Sequence, residues 1–578
     1  MGDAANGPSS GPAIIVHLGP RDGTTTTADL RSLVVASVFA ERTIMIVQRV
    51  LIIAVFISLV GVPLLVRPDR SSDDAAARRV IVITPHNEQI RHEFGRAFSL
   101  WHEREHGERA QVIWSVPGGT SEIRRMLQAQ YRADLREGRH AGGTADLLFG
   151  GGSYEFNELR REMTETIRSG DAAGTVGTVT VLAPMMFDAD FIESVYGDMT
   201  HIGDEPLFHA DGYWWGAALS GFGIVYNRDI FARKRLEPPT RWADLTHPAL
   251  DSWVALVNPA QSGSITTAFE AILLRRGWED GWRILRRVAA NARTFSANSA
   301  RAPIDVSLGD AAAGICIDFF GRFQAQAVRE GGGGDRVGYI DPVGETQIDA
   351  DPIAMLNGAP DPELAERFVR FVLSREGQAL WQFPATAAAG DAGTGVVDEG
   401  DRLGPERYEL RRMPVRRDLF GSDDFDRFID RVDPVEIASA VPDADRNMRA
   451  FIAPLFSAMA VDQHHRLQRA WRAITSHPAY PDHGGLVTAD EVDDPGLRAM
   501  LEAFDAMPSV RTPEDGMISI DTAAARATIR DGWLRGRWSD AGLWHRESTG
   551  GETLRREFTR FFADRYDDVI ESGRRAER

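Results

Sequence analysis

The chain of 578 residues has a single cysteine, Cys316, which excludes an intrachain disulfide and a cysteine-built zinc cluster. Lysine is almost as scarce. Lys234 stands alone, and arginine supplies the remaining basic charge, a trait of codon composition rather than of function. Positive charge is itself in deficit: the net charge is −19, which argues against a nucleic-acid partner, since phosphate backbones need a basic face. A small anionic ligand stays open, because the donors lining a pocket decide that. Long apolar runs are also few. Residues 44–66 form one, with Val50–Val66 at its heart, and a helix of that length crosses a hydrocarbon layer of ~30 Å. The 43 residues ahead of it exceed the polar lead of a usual cleaved signal, so an uncleaved single-pass anchor is expected, preceded by a flexible tail. Arg42 and Arg49 on one side and Arg67, Arg70, Arg78 and Arg79 on the other leave its orientation open.

From Arg79 onward short apolar strands alternate with amphipathic helices. Val80–Thr84, Val112–Trp114 and Ala145–Phe149 read as strands. Ile90, Phe94, Phe98 and Trp101 keep helical spacing between the first two. This alternation implies a mainly parallel α/β sheet. The organising stretch is Tyr213–Asn227, apolar, aromatic and β-branched, with three glycines. It is too long for one small sheet, and it suits a strand that runs from one lobe to another and leaves a cleft beside it. Beyond about residue 400 the strands run out. Segments 446–475, 496–506, 521–536 and 552–571 read as amphipathic helices that carry no recognisable chemistry.

Three loops share one arrangement, a strand end, small residues and a helix start: Gly118-Gly119-Thr120-Ser121, Gly151-Gly152-Ser153 and Ser262-Gly263-Ser264. First helical turns offer unpaired N–H groups and a partial positive charge, so together they can hold an anion or polar oxygen without a lysine. Thr120, Ser121, Gly152, Ser153, Ser262, Gly263 and Ser264 are therefore candidate ligand contacts. His102-Glu103-Arg104-Glu105-His106 matches the His-Glu-x-x-His pattern of zinc peptidases. Its charged, helix-end context, with no third ligand following, reads instead as a solvated helix end, and no metal site is expected.

Several segments together resemble the bacterial extracellular solute-binding proteins of ABC importers, nearest the branch that binds ferric ion and sugar phosphates. They are Val82–Glu88, Ala145–Gly150, Leu219–Asn227, Asn258-Pro259 with Ser262–Ser264, and Ala297–Ser299. The resemblance covers roughly residues 79–385. It implies a two-lobed type II periplasmic-binding-protein fold with crossing hinge strands, no cofactor and no catalysis. A small-molecule solute would be delivered to a membrane permease, and the globular part would lie in the periplasm or outside the cell. The implied organisation is a tail (1–43), an anchor (44–66), a first lobe (79–212 and 346–400), a second lobe (213–345) and a helical extension (401–578). The resemblance places Ser262–Ser264 and Asn298 at anion-holding positions and His86 near an iron-ligand position, and adds Ser220 and Asp318 to the ligand set. The tyrosines that bind iron in that branch align with Phe319 and Phe320, which have no ligating oxygen. A phosphate-bearing or polyhydroxylated solute is therefore expected rather than bare ferric ion. Two other readings follow. One is a thiaminase-like enzyme using Cys316; the other is a ligand-sensing scaffold whose C-terminal helices dock on a membrane partner and are dispensable for ligand affinity.

Overall fold

Short apolar strands need two covered faces, and the chain covers them by placing helices on two separate sheets. The computed structural model describes residues 77–170, 172–386, 403–421, 423–438, 440–441, 445, 447–481, 485–512, 516–534 and 550–576. The expected tail and anchor lie outside these residues. Among the described residues no helix is long and apolar enough to cross a membrane.

The first sheet starts with β1 (Arg78–Ile83), followed by helix α1 (Glu88–His106). Asn87 caps α1 by accepting the N–H of Ile90, and Gly107 ends it in the left-handed region. Its buried stripe of Ile90, Phe94 and Phe98 packs on the sheet. Then come β2 (Ala110–Ser115), α2 (Thr120–Arg136), β3 (Leu147–Phe149), α3 (Ser153–Leu159), β4 (Leu182–Ala183) and β5 (Trp215–Ser220).

The second sheet is built from β6 (Phe222–Asn227), β7 (Val254–Val257), β8 (Ala292–Ser296), β9 (Ala313–Ile317) and β10 (Val337–Ile340). Helix α4 (Gly263–Ala290) follows β7 and is kinked at Gly277, where φ is 78°. Helices α5 (Arg301–Leu308) and α6 (Asp318–Val328) flank β9. The chain then returns to the first sheet through β11 (Asp349–Leu356) and covers it with α7 (Pro362–Leu373). The strand orders are β2-β1-β3-β11-β4, with β5 also paired to β11, and β8-β7-β9-β6-β10.

The sheets are mixed, not mainly parallel. β1 runs parallel to β2 and β3, but β11 is antiparallel to β3, β4 and β5, and β6 is antiparallel to β9 and β10. The antiparallel members are the segments that cross between sheets, since a strand entering from the other lobe brings no crossover helix to make it parallel. Tyr213–Asn227 is two strands rather than one. It breaks at Gly221 between β5 and β6, so the passage from one sheet to the other occurs in a single residue. The second passage is 341–348, and Thr346 Oγ1 ties it to the first by accepting the Phe222 N–H (3.1 Å) and donating to the Phe222 carbonyl (2.7 Å). The stretch Ile340–Pro342 thus belongs to the second sheet and its exit, not to a strand in the first lobe.

Residues beyond 400 do not lack strands: β12 (Ser509–Thr512) and β13 (Gly516–Ser519) form a hairpin. The extension also carries the helices α8 (Arg449–Phe456), α9 (His464–Thr475), α10 (Pro495–Asp505) and α11 (Gly550–Ala576), while 403–416 is irregular. The expected 446–475 helix is divided, because a π-helical turn at Ser457–Val461 separates α8 from α9. These helices are fused to the second lobe. Arg287 of α4 is fully buried and pairs with Asp505 (2.7 Å), while Arg286 donates to the Ala506 carbonyl (3.1 Å). Arginine in an interior needs such partners, which makes this joint specific rather than merely apolar.

Candidate functional site

A cavity of about 450 Å³ opens between the two sheets. Its floor is the pair of crossing segments, and its walls are the starts of helices from both lobes. Ligands of open α/β sheets sit beyond the carboxyl ends of the strands, where helix N-termini converge, and this cavity occupies that position. The first turns of α2 and α4 meet at its edge. A Cβ on Gly119 would lie 3.1 Å from the Gln261 carbonyl oxygen, and Arg125 donates across the gap to the Ala260 carbonyl (3.5 Å).

The second-lobe wall is a triangle of hydroxyls. Ser262 Oγ lies 2.6 Å from Ser299 Oγ and 3.1 Å from Ser264 Oγ, and Ser264 and Ser299 are 3.1 Å apart. Ser262 caps α4 by accepting the Ile265 N–H. Asn298 sits at the exposed mouth, with its side-chain oxygen accepting the Ala300 N–H (2.9 Å). On the first lobe Thr120 and Gly152 contribute, each at a helix start. Phe222, Phe319 and Phe320 supply apolar wall.

The deepest part is a charged cluster. Asp351 accepts from the Gly151 N–H (2.7 Å), His86 Nε2 (2.8 Å) and Arg412 Nη1 (2.7 Å). Arg412 also donates to Ser220 Oγ through Nη2 (2.8 Å) and Nε (3.2 Å), and its guanidinium lies 4.8 Å from the centre of the Phe319 ring. Burial raises the Asp351 carboxyl, but Arg412 and His86 more than offset this and hold it below the ordinary carboxylate range. Burial likewise lowers His86, and the Asp351 charge does not reverse it, so the imidazole is neutral and Nε2–H is the donor. His86 Nδ1 is buried with no hydrogen-bond partner among the described residues. Gly150 makes room for this ring: its φ is 100°, and a Cβ there would lie 2.6 Å from His86 Nε2.

A second carboxylate, Asp349, lines the cavity two residues earlier on β11. Burial raises it to about 6, against the opposing pull of Arg449. Its neighbour Glu205 is raised well above the ordinary carboxylate range by burial and then by the Asp349 charge.

Of the eleven residues expected from the sequence, eight line the cavity: His86, Thr120, Gly152, Ser220, Ser262, Gly263, Ser264 and Asn298. Three lie behind its walls. The Ser121 hydroxyl donates to Glu155 (3.0 Å), and the Ser153 N–H donates to Asp349 (3.4 Å). Asp318 folds back to accept the Phe319 N–H (2.7 Å). A helix start exposes one face only, so the neighbouring positions on the same turn point into the protein.

Reasoning from sequence missed Asp349, Asp351 and Arg412. The first two carried a signal, since carboxylates two residues apart on an apolar strand share a face. Arg412 carried none, because it comes from the extension thought to be free of chemistry. Its place in the cavity also runs against a dispensable extension.

Cys316 lies in β9 at 0% exposure, and burial raises its thiol, with Asp318 and Asp341 adding to the shift, which weighs against the nucleophile reading. The His-Glu-x-x-His pattern ends α1, where His102 Nδ1 donates to the Glu108 carbonyl (2.8 Å). Among the described residues no group of three or more His, Cys, Asp or Glu side chains is placed to hold a metal ion.

Two lobes joined by short crossings thus leave a polar cavity between them. Residues 182–393 match the family model described as bacterial extracellular solute-binding protein. The chain is 25% identical over 163 residues to the phosphoglycerate transport regulatory protein PgtC of Salmonella typhimurium, a match covering 28% of this chain and 39% of that protein. An uncharacterized protein of Haemophilus influenzae is 26% identical over 163 residues, covering 28% and 45%. The match thus spans less than half the length of either relative. Among solved structures, the periplasmic binding protein AfuA from Actinobacillus pleuropneumoniae, bound to fructose-6-phosphate, gives a TM-score of 0.41 at 17% identity, covering 52% of this chain and 81% of that one. Iron-bound HitA from Pseudomonas aeruginosa gives 0.41 at 16%, covering 63% and 94%.

Proposed function

We propose that the protein is the solute-binding component of an ABC-type importer, capturing a small polar or anionic organic solute between its lobes and passing it to a membrane permease. The cavity carries the reading: it combines helix starts from both lobes, a hydroxyl triangle and one arginine with phenylalanine walls. Such a surface gives an oriented solute several donors and strips its water, without a group poised for chemistry. The site holds no iron-type ligand set, since His86 and Asp351 are committed to each other and Phe319 and Phe320 offer no oxygen. Release follows hinge opening about Gly221 and 341–348, the only crossings among the described residues 213–356. Residues 44–66 tether the globular part to the outer face of the cytoplasmic membrane, in the periplasm.

A thermal-shift and calorimetric screen of the purified full chain tests this. The panel contains phosphoglycerate, hexose phosphates, citrate, ferric citrate and polyols, with the phosphate esters suggested by the relative named for phosphoglycerate transport. A saturable rise in melting temperature with at least one of these solutes is expected. No stabilisation by any of them overturns the reading.

A further inference from the structure

The segment 405–415 behaves as a strap across the hinge. On the first lobe Glu93 of α1, 1% exposed, accepts three successive N–H groups from Glu406 (2.7 Å), Arg407 (2.9 Å) and Tyr408 (2.8 Å). Met413 pairs with Leu219 at the end of β5, and Val415 N–H is held by Gln378 (2.8 Å). Between these anchors Arg411 adopts φ 59° and reaches the second lobe, donating to the Arg322 carbonyl (3.0 Å) and to Gln326 (2.6 Å) on α6. A left-handed backbone at a non-glycine residue is strained. At this position Arg411 goes to α6 while the next side chain, Arg412, enters the cavity.

Building on the solute-binding reading, we propose that Arg412 is the charge anchor of the cleft, that the bound solute is a small organic oxyanion, and that the extension is therefore part of the binding site. Arg412 lies outside the family-matched segment 182–393. It is the one arginine or lysine lining the cavity among the described residues. The acidic groups nearby are each engaged: Asp351 by three donors, Glu122 by the Gly119 N–H (3.2 Å), and Asp349 by the Ser153 N–H (3.4 Å) and the Thr267 hydroxyl (3.3 Å). A guanidinium has five N–H donors; Asp351 and Ser220 take three, and Nη1 also faces His86 Nε2 (3.2 Å). The second Nη2 N–H, with the helix starts of α2 and α4 at the cavity edge, suits an oxygen of a carboxylate or phosphate.

Calorimetry on the purified full chain, on Arg412→Lys and on the double variant Asp351→Asn/Arg412→Gln, tests the assignment. The double variant removes both buried charges together and so keeps the interior neutral. Circular dichroism verifies that it is folded. The probes are glycerol 3-phosphate and phosphoglycerate for phosphate, citrate and malate for carboxylate, and sorbitol as a neutral polyol. The proposal expects a phosphate or carboxylate probe to bind the wild type, at least tenfold weaker binding to Arg412→Lys, and at least a hundredfold loss in the double variant. A double variant that binds the same oxyanion within threefold of wild type overturns the proposal and leaves the solute-binding reading intact. So does a wild type that takes sorbitol but no oxyanion. If no probe binds the wild type at all, both the proposal and the solute-binding reading fail.

Discussion

Glu93→Gln separates the strap from the cavity, because Glu93 does not line the cavity and holds 406–408 in place. Its two carboxylate oxygens accept three backbone N–H groups. Hydrogen bonds to a buried charge contribute about 1.5–3 kcal/mol each, against about 1 kcal/mol for neutral pairs. In glutamine one oxygen still faces Arg407 and Tyr408, with weaker neutral bonds, while an NH₂ faces the Glu406 N–H, donor against donor. The net loss is about 3 kcal/mol from the local opening of the strap. At about 1.4 kcal/mol per tenfold, the amides of 406–408 should exchange roughly 100-fold faster. Hydrogen exchange read by mass spectrometry on the peptide covering these residues measures this directly. The helices of the second lobe should keep their protection. Oxyanion affinity should fall, even though no cavity atom has changed, because Arg412 loses its backing. Exchange at 406–408 within threefold of wild type would refute the clamp.

The remaining predictions concern buried acids and the thiol. Asp318 and Asp349 are raised by burial to about 7 and about 6 from an ordinary 3.8, so their protonated forms favour the fold. The stability they contribute is complete below about pH 4 and is lost as pH rises through 6 and 7, so urea midpoints should decline across that window. Asp318→Asn should flatten the upper part of the decline, and a midpoint that climbs from pH 4.5 to 7 in the wild type contradicts the burial argument. Asp351 has the opposite sign: held low by Arg412 and His86, it contributes above the usual carboxylate range and is lost only on strong acidification. Cys316 should resist an alkylating reagent in the native protein and react fully in denaturant. Rapid native labelling contradicts its burial in β9.

Much of the fold was legible because it rests on local patterns. The helical spacing of Ile90, Phe94 and Phe98 and the cap at Asn87 specify α1 without reference to any partner. Tyr213–Asn227 announced a passage between lobes by being too long and too apolar for one sheet, although only the folded chain places the break at Gly221. Candidate ligand contacts at helix starts were legible as a class, since small polar residues ahead of a helix are a local signal. Which member of each turn faces the cavity was not, because that depends on how the helix is rotated against its sheet. This is why Thr120 lines the cavity and Ser121 does not. Asp351 and Arg412 define each other across 61 positions of chain, and His86 joins them from the loop between β1 and α1. A buried ion pair of that kind leaves no periodicity in either segment. The extension was misjudged for the same reason: its helices show amphipathic spacing, but Arg412 sits in an irregular strap whose path is fixed by Glu93 and Leu219.

The central claim is that the two lobes grip a small oxyanion in the cavity between them. A crystal structure of the full chain grown with a saturating concentration of the probe that binds most tightly in calorimetry tests it most directly. The claim predicts electron density bonded to the Arg412 guanidinium and to the hydroxyls of Thr120 and Ser262. An empty cavity, or a probe lodged elsewhere on the protein, contradicts it.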